Sequence, residues 1–263
     1  MIEKFRELVD RRHDEARRMK EEGRKVVGYF CSYCPEEILH AAGLLPVRVF
    51  GAAEPISDSD AYIPTYFCPF CRNCLDEALK GRYGYLDGLV MAYTCEHIRS
   101  AFQSWRVHLP VDYAWLLDMP GQLDSPAARR FYMGELKDFV RSLETHFGVK
   151  ISDEKLRRSI EIYNRQRDLI RAVYEYRKSD PPLISGSEMY YVTVSGMVSP
   201  REEHIKLLEE LLSRIERRGT APHTGVRLMI TGSALFNPGI FEAVEKQGAV
   251  VVTDDLCVGT RYY

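Results

Sequence analysis

The sequence predicts an α/β fold: a parallel-sheet domain flanked by helices, a helical connecting block, and the start of a second α/β domain. Three observations predict it. Short apolar runs such as KVVGYF (25–30) and GLVMAY (88–93) alternate with helix-length segments up to Leu117, the rhythm of strands buried on both faces. From Ser125 to Arg218 the apolar residues fall at three- and four-residue spacing with no strand between them. At Val226 the strand–helix–strand rhythm restarts. The expected divisions are 1–124, 125–221 and 222–263. The last of these is too short to bury a core of its own, so it either joins the first sheet or opens a second domain that continues past Tyr263; the length of the intervening helical block, enough to separate two sheets, favours the second.

In chain order, residues 2–22 carry Ile2, Phe5, Leu8 and Val9 at helical spacing, then mixed charge and Gly23, which predicts one surface helix. A strand over 25–30 delivers Cys31 and Cys34 to its C-terminal end. Pro35, Glu36 and Glu37 suit the first turn of the next helix, which stops at Gly43. Further elements are expected as strand 47–50, helix 71–80, strand 86–93, helix 96–106 and strand 111–117. The connecting block is expected as helices 126–147, 153–178 and 200–218. In the second of these Leu156, Ile160, Tyr163, Ile170 and Tyr174 form a core stripe interrupted by Arg167. Residues 181–191 read as a loop and the start of a helix. The closing unit is expected as strand 226–231, helix 238–247 and strand 249–253.

Bulk properties exclude several classes of function. Thirty-six Lys and Arg against 38 Asp and Glu leave a formal charge of −2, so no positive field attracts nucleic acid or an acidic membrane surface. No apolar run approaches the roughly 18 to 20 residues that cross a bilayer, and the first 25 residues are dense with charge, unlike a signal peptide. The expected setting is cytoplasmic, with no nucleic-acid or membrane partner. Closely spaced cysteines in a reducing compartment read as metal ligands or redox groups before structural disulfides.

Five of the seven cysteines fall in two runs, Cys31 with Cys34, and Cys68, Cys71 and Cys74. Ligands in parallel α/β sheets bind beyond the carboxyl ends of the strands, and Cys31, Cys34 and Cys95 each closely follow a predicted strand. C-x2-C-x2-C places three thiolates around an iron–sulfur cube in bacterial ferredoxins, but Ala78 stands where the fourth cysteine of that run would fall. A zinc-stabilised binding module would instead pair Cys31 and Cys34 with two of the second group. Both readings stay open on spacing alone.

The stretches GYFCSYCPEEILHAAGLLPVRVFG, YFCPFCRNCLDEALKGRYGYLDG, YTCEHIR and DDLCVGTRYY, in that order, resemble the 2-hydroxyacyl-CoA dehydratase and benzoyl-CoA reductase family. Of its members they are most similar to the cluster-bearing subunits of benzoyl-CoA reductase. The resemblance runs through the chain and implies an iron–sulfur subunit of a low-potential, one-electron reductase or dehydratase acting on an acyl-CoA substrate. It implies a [4Fe-4S] cluster held by three cysteines, the first two matching Cys68 and Cys95 and the third lying beyond Tyr263. It further implies a homologous second subunit or a second copy of the chain as a dimer partner. The electron donor it implies is an ATP-hydrolysing activator carrying its own iron–sulfur cluster. Ser32 matches the hydroxyl residue that approaches the substrate thioester. Arg99 and Arg106 are candidates for contacts with CoA. Cys31, Cys34, Cys71 and Cys74 are extra to the family pattern, and they leave open a double-cubane [8Fe-9S] variant that transfers electrons or reduces small molecules without a CoA substrate. Cys257 precedes the third ligand position and is not expected to bind the cluster.

Overall fold

The computed structural model describes residues 1–217 and 225–263, and its chain divides into two compact units, Met1–Glu15 with Glu161–Tyr263, and Ala16–Ile160. Arg218, the expected end of a helix, and the expected boundary at 221/222 lie outside the described residues.

The unit over Ala16–Ile160 is built on four parallel strands, β1 (Val26–Phe30), β2 (Leu45–Arg48), β3 (Gly88–Ala92) and β4 (Tyr113–Leu117), in the order β2-β1-β3-β4. All residues of β1, β2 and β3 are buried, which explains why they read as continuous apolar runs and not as alternating ones. The crossovers carry helices α3 (Glu36–Ala41), α4 (Pro69–Leu79) and α5 (Glu96–His108). Because the chain leaves β1 toward β2 and leaves β3 toward β4, these neighbouring strands send their following loops in opposite directions. Their carboxyl ends flank the switch-point crevice where sheets of this kind bind ligands. The long helix α6 (Pro126–Phe147) packs on β4, with Phe139 and Leu143 buried.

The second unit holds a two-stranded parallel sheet, β5 (Arg227–Thr231) beside β6 (Val250–Asp255), joined through α10 (Gly239–Lys246). Its centre is α8 (Gly186–Val198), buried on all sides and packed against α1 (Ile2–Asp10), α9 (Arg201–Arg214), α10 and β6. A buried ion pair organises the chain after β6. Arg177 Nη1 meets Asp254 Oδ2 at 2.8 Å, Tyr174 donates its hydroxyl to the same oxygen at 2.9 Å, and the Thr260 amide donates to Asp254 Oδ1 at 3.0 Å. Thus every polar atom of the Asp254 carboxylate has a partner, as a buried charge requires.

Three sequence expectations change. The helix expected over 2–22 is α1 followed by α2 (Arg12–Glu21), interrupted at Arg11, although backbone hydrogen bonds run on through the break from Arg11 N to Glu7 O and from Glu15 N to Arg11 O. In α7 (Asp153–Glu175) the buried side is Ser159, Tyr163, Gln166, Leu169, Ile170 and Val173, while Ile160 is 41% exposed. Polar residues take the inner positions because they find partners there: Ser159 Oγ donates to Glu37 O at 2.8 Å, and Gln166 Nε2 donates to His204 Nδ1 at 2.9 Å. Residues 181–191 are the loop and helix start expected, but the helix, α8, runs on to Val198, beyond the expected segment. A helix apolar on every side has no amphipathic period to read. A signal was nonetheless present in the capping box, where Ser185 and Glu188 exchange side-chain and backbone hydrogen bonds.

Candidate metal centre

Three loops meet at the carboxyl edge of the four-stranded sheet. The first follows β1, where Cys31 adopts a left-handed backbone with φ of 69°. A side chain with a Cβ pays roughly 1–3 kcal/mol for such a conformation, so it persists where the surroundings over-determine it. The constraint is visible across the crevice, since Thr94, in the loop after β3, donates its hydroxyl to Cys31 Sγ at 3.3 Å. Ser32 and Tyr33 are the central residues of the turn that leads to Cys34. Cys34 is buried, and desolvation with the nearby Glu36 pushes its thiol well above the ordinary range.

The second loop leads to α4. Cys68 is the residue before its first turn and Pro69 occupies N1, where a missing N–H costs nothing. The loop is fastened to the helix it precedes. One Asp76 oxygen accepts from the amides of Ser57, Asp58 and Ser59 at 3.0, 2.6 and 2.9 Å. The Asn73 side chain bonds both the N–H and the carbonyl of Ala52 at 2.7 and 2.9 Å. Gly51 is required there because a Cβ would collide with the Asn73 amide.

The third loop ends at Cys95, the N-cap of α5, whose exposed Sγ accepts from Ile98 N at 3.4 Å. The loops carrying Cys68 and Cys95 are joined directly. The Cys68 amide donates to His97 Nδ1 at 3.1 Å, and the His97 ring stacks on Phe67 with centroids 4.6 Å apart. His97 and Thr94 were not singled out from the sequence. Their position beside a cysteine at a strand-to-helix junction, in YTCEH, is the signal that could have found them.

Electrostatics separates the thiols. The neighbouring Cys71 thiol, opposed by partial burial and aided by the backbone amides of Cys71 and Phe70 and by His97, brings the Cys68 thiol down to about 5. Cys68 is therefore a thiolate at neutral pH, the form that binds metals. Cys71 moves the opposite way, up, because of the neighbouring Cys68 side chain and its own burial. Cys74 lies in the core with its thiol toward Val49 O at 3.8 Å, where it acts as a small apolar residue.

The structure thus brings Cys68, Cys95, Cys31 and the Ser32 turn to one edge and keeps Cys71, Cys74 and Cys34 inside. Cys257 belongs to the other unit, where Arg261 Nη1 reaches its sulfur at 3.5 Å. Arg99 is at this edge, in an ion pair with Glu96 at 2.7 Å, but Arg106 is 11 residues from Cys95 on a helix that rises 1.5 Å per residue, about 16 Å away. Among the described residues no three Cys, His, Asp or Glu side chains converge into a complete metal-binding group. A cube needing three thiolates fits Cys68 and Cys95 as a partial ligand set, with Cys31 at the same edge. The other unit holds a hollow of about 600 Å³ bordered by Arg171, Tyr174, Lys178 and Arg227.

Comparison with known proteins gives this edge a context. Residues 31–263 match the family model described as 2-hydroxyglutaryl-CoA dehydratase, D-component. The chain is 30% identical over 253 residues to one of the subunits of benzoyl-CoA reductase from Thauera aromatica, covering 94% of this chain and 66% of that protein. It is 26% identical over 245 residues to the (R)-phenyllactyl-CoA dehydratase beta subunit of Clostridium sporogenes, covering 93% and 66%. It is 24% identical over 268 residues to the beta subunit of (R)-2-hydroxyglutaryl-CoA dehydratase from Acidaminococcus fermentans, covering 100% and 70%. The chain spans about two thirds of the length of the curated relatives it matches. The match runs from the cysteine turn after β1 to Tyr263, and on it the chain belongs to the 2-hydroxyglutaryl-CoA dehydratase D-component family.

Proposed function

We propose that this chain contributes to an iron–sulfur subunit of an ATP-activated reductase or dehydratase that acts on acyl-CoA thioesters, with Cys68 and Cys95 as two ligands of a [4Fe-4S] cluster. The observation that carries the reading is the joining of these two cysteines. Each opens a helix at the carboxyl edge of one sheet, and the Cys68 amide is tied to His97, two residues after Cys95. The relatives support the substrate class, since their names specify benzoyl-CoA, (R)-phenyllactyl-CoA and (R)-2-hydroxyglutaryl-CoA. Their designation as subunits supports a partner subunit, for which a homologous chain or a second copy is the proposed occupant. The electron source is proposed as an ATP-hydrolysing activator with its own cluster.

A cluster held by three thiolates supplies low-potential single electrons and one open iron for an oxygen ligand. The chain's residues prepare that position. Cys68 is held as a thiolate by the Cys71 thiol and the first-turn amides of α4, so no proton need be lost there on metal binding. The His97 ring that accepts from its amide is stacked on Phe67. The burial of Cys71 and Cys74 supports a cluster that uses neither, in preference to a double-cubane arrangement. Ser32 is proposed to approach the substrate thioester from the turn after β1.

Anaerobic reconstitution with iron and sulfide tests this. Cys68→Ser and Cys95→Ser are each expected to lose the cluster, while Cys257→Ser retains it, read by iron and sulfide content and by EPR after reduction. Zinc without sulfide in the wild-type chain, or full iron content in both variants, would overturn the assignment.

A further inference from the structure

We propose that in the metal-free chain Cys68 and Cys71 close reversibly into a disulfide, and that this oxidised form takes up no cluster. The second half rests on the ligand role given above for Cys68; the first half does not. The observation is the arrangement of two sulfurs across one helical turn. Cys68 immediately precedes α4 and Cys71 is three residues on, so both lie on one face of its first turn. Residues three apart on one helical turn are side-by-side neighbours, and their Cα atoms fall within the span that a disulfide bridges.

The pair is asymmetric in access. Cys68 is partly exposed and reachable by a small reagent, whereas Cys71 is buried behind it. That is the arrangement of an attacking and a resolving thiol in Cys-x-x-Cys motifs. The other cysteine of the run is turned away. Cys74, one turn further along, points at the Val49 carbonyl from the core, and the amide of Cys68 is held by His97, which fixes the N-terminal end of the turn.

The oxidant is a small-molecule disulfide. The Cys68 thiolate attacks one of its sulfurs, breaking that S–S bond and releasing one thiolate. Cys71 gives up its proton and attacks Cys68 Sγ, breaking the mixed disulfide and releasing the second thiolate. Two protein thiols lose two electrons and two protons, and one small disulfide becomes two thiols. In the product neither sulfur carries the charge and free lone pairs of a thiolate ligand, so the helix start can no longer hold iron.

Digestion with trypsin makes the test direct, because peptide 49–72 contains Cys68 and Cys71 and no other cysteine, and peptide 26–48 contains only Cys31 and Cys34. Metal-free protein is equilibrated anaerobically in reduced and oxidised glutathione mixtures, quenched in acid, alkylated and digested. The expected result is peptide 49–72 two hydrogens lighter and unalkylated under oxidising mixtures, doubly alkylated under reducing ones, and never internally bridged in Cys71→Ser. Iron and sulfide uptake is expected to be lost in the oxidised protein and restored by dithiothreitol. Peptide 49–72 alkylated at both cysteines in every mixture would overturn the disulfide. Equal iron uptake by oxidised and reduced protein would overturn the block on loading. A disulfide that forms while the reduced chain binds no iron upholds the first half and overturns the ligand reading of Cys68.

Discussion

His204 shows how one buried side chain sets the acid limit of its unit. On α9 it is fully buried, edge-on to Phe5 at 5.7 Å, with Nε2 donating to Val192 O at 2.9 Å and Nδ1 accepting from Gln166 at 2.9 Å. That pattern requires the neutral ring. Desolvation is the main cause that lowers its pKa to about 3, with Arg201 adding to it and the Val192 bond opposing. The unfolded chain takes up this proton near its ordinary value of about 6.5, so between there and about 3 the unfolded state binds more protons. Stability from this residue is complete above that window and falls with pH inside it, by at most about 1.4 kcal/mol per pH unit. Urea midpoints measured from pH 7 to 4 are expected to fall, and less steeply in His204→Gln; equal slopes would remove His204 as the cause. At the candidate centre the same principle works at Cys68, where neighbouring donors and not the residue type decide which of several thiols is ionised. Residue type was legible in the sequence for all seven cysteines, but burial of Cys34, Cys71 and Cys74 was not, because it depends on what packs over the helix start.

Among elements, α4 and the loop before it behave as one piece. The Asp76 carboxylate is costly to bury, yet Lys80 at 2.8 Å and the amides of Ser57, Asp58 and Ser59 together outweigh that desolvation and keep its pKa below the usual aspartate range. Asp76→Ala leaves three amides without their acceptor and is expected to cost about 2–4 kcal/mol, since each unsatisfied buried group is worth roughly 1–3 kcal/mol and some admit water. Both tryptophans, Trp105 and Trp115, lie in the same unit, so a urea titration followed by tryptophan fluorescence reads this loss. An unchanged midpoint would show that the loop is held by other means. The strands and most helices of both units were legible because their apolar runs and three/four spacing reflect burial directly. Of α8 only the start was legible, because its all-round burial erases the period that marks a helix.

At the scale of the molecule, the two sheets differ in how well they are covered. All residues of β1, β2 and β3 are buried, whereas β5 is exposed along most of its length, with Val226 beside it 70% and Met229 58% exposed. Among the described residues this sheet has two strands, and an uncovered apolar strand is a site of self-association. The purified chain is expected to scatter light increasingly with concentration, and Met229→Lys to reduce it; a monodisperse wild-type chain would contradict this. The amino-acid sequence by itself determined the α/β class and the order of most strands and helices along the chain, because these depend on local periodicity, and its motifs carried the resemblance to the family, which implies Cys68 and Cys95 as candidate ligands. Only the tertiary structure decided the strand order β2-β1-β3-β4, the meeting of Cys31 with Thr94 and of Cys68 with His97, and the sorting of thiols into reachable and buried. Those features come from contacts between residues 29 and 63 positions apart, which no local pattern encodes.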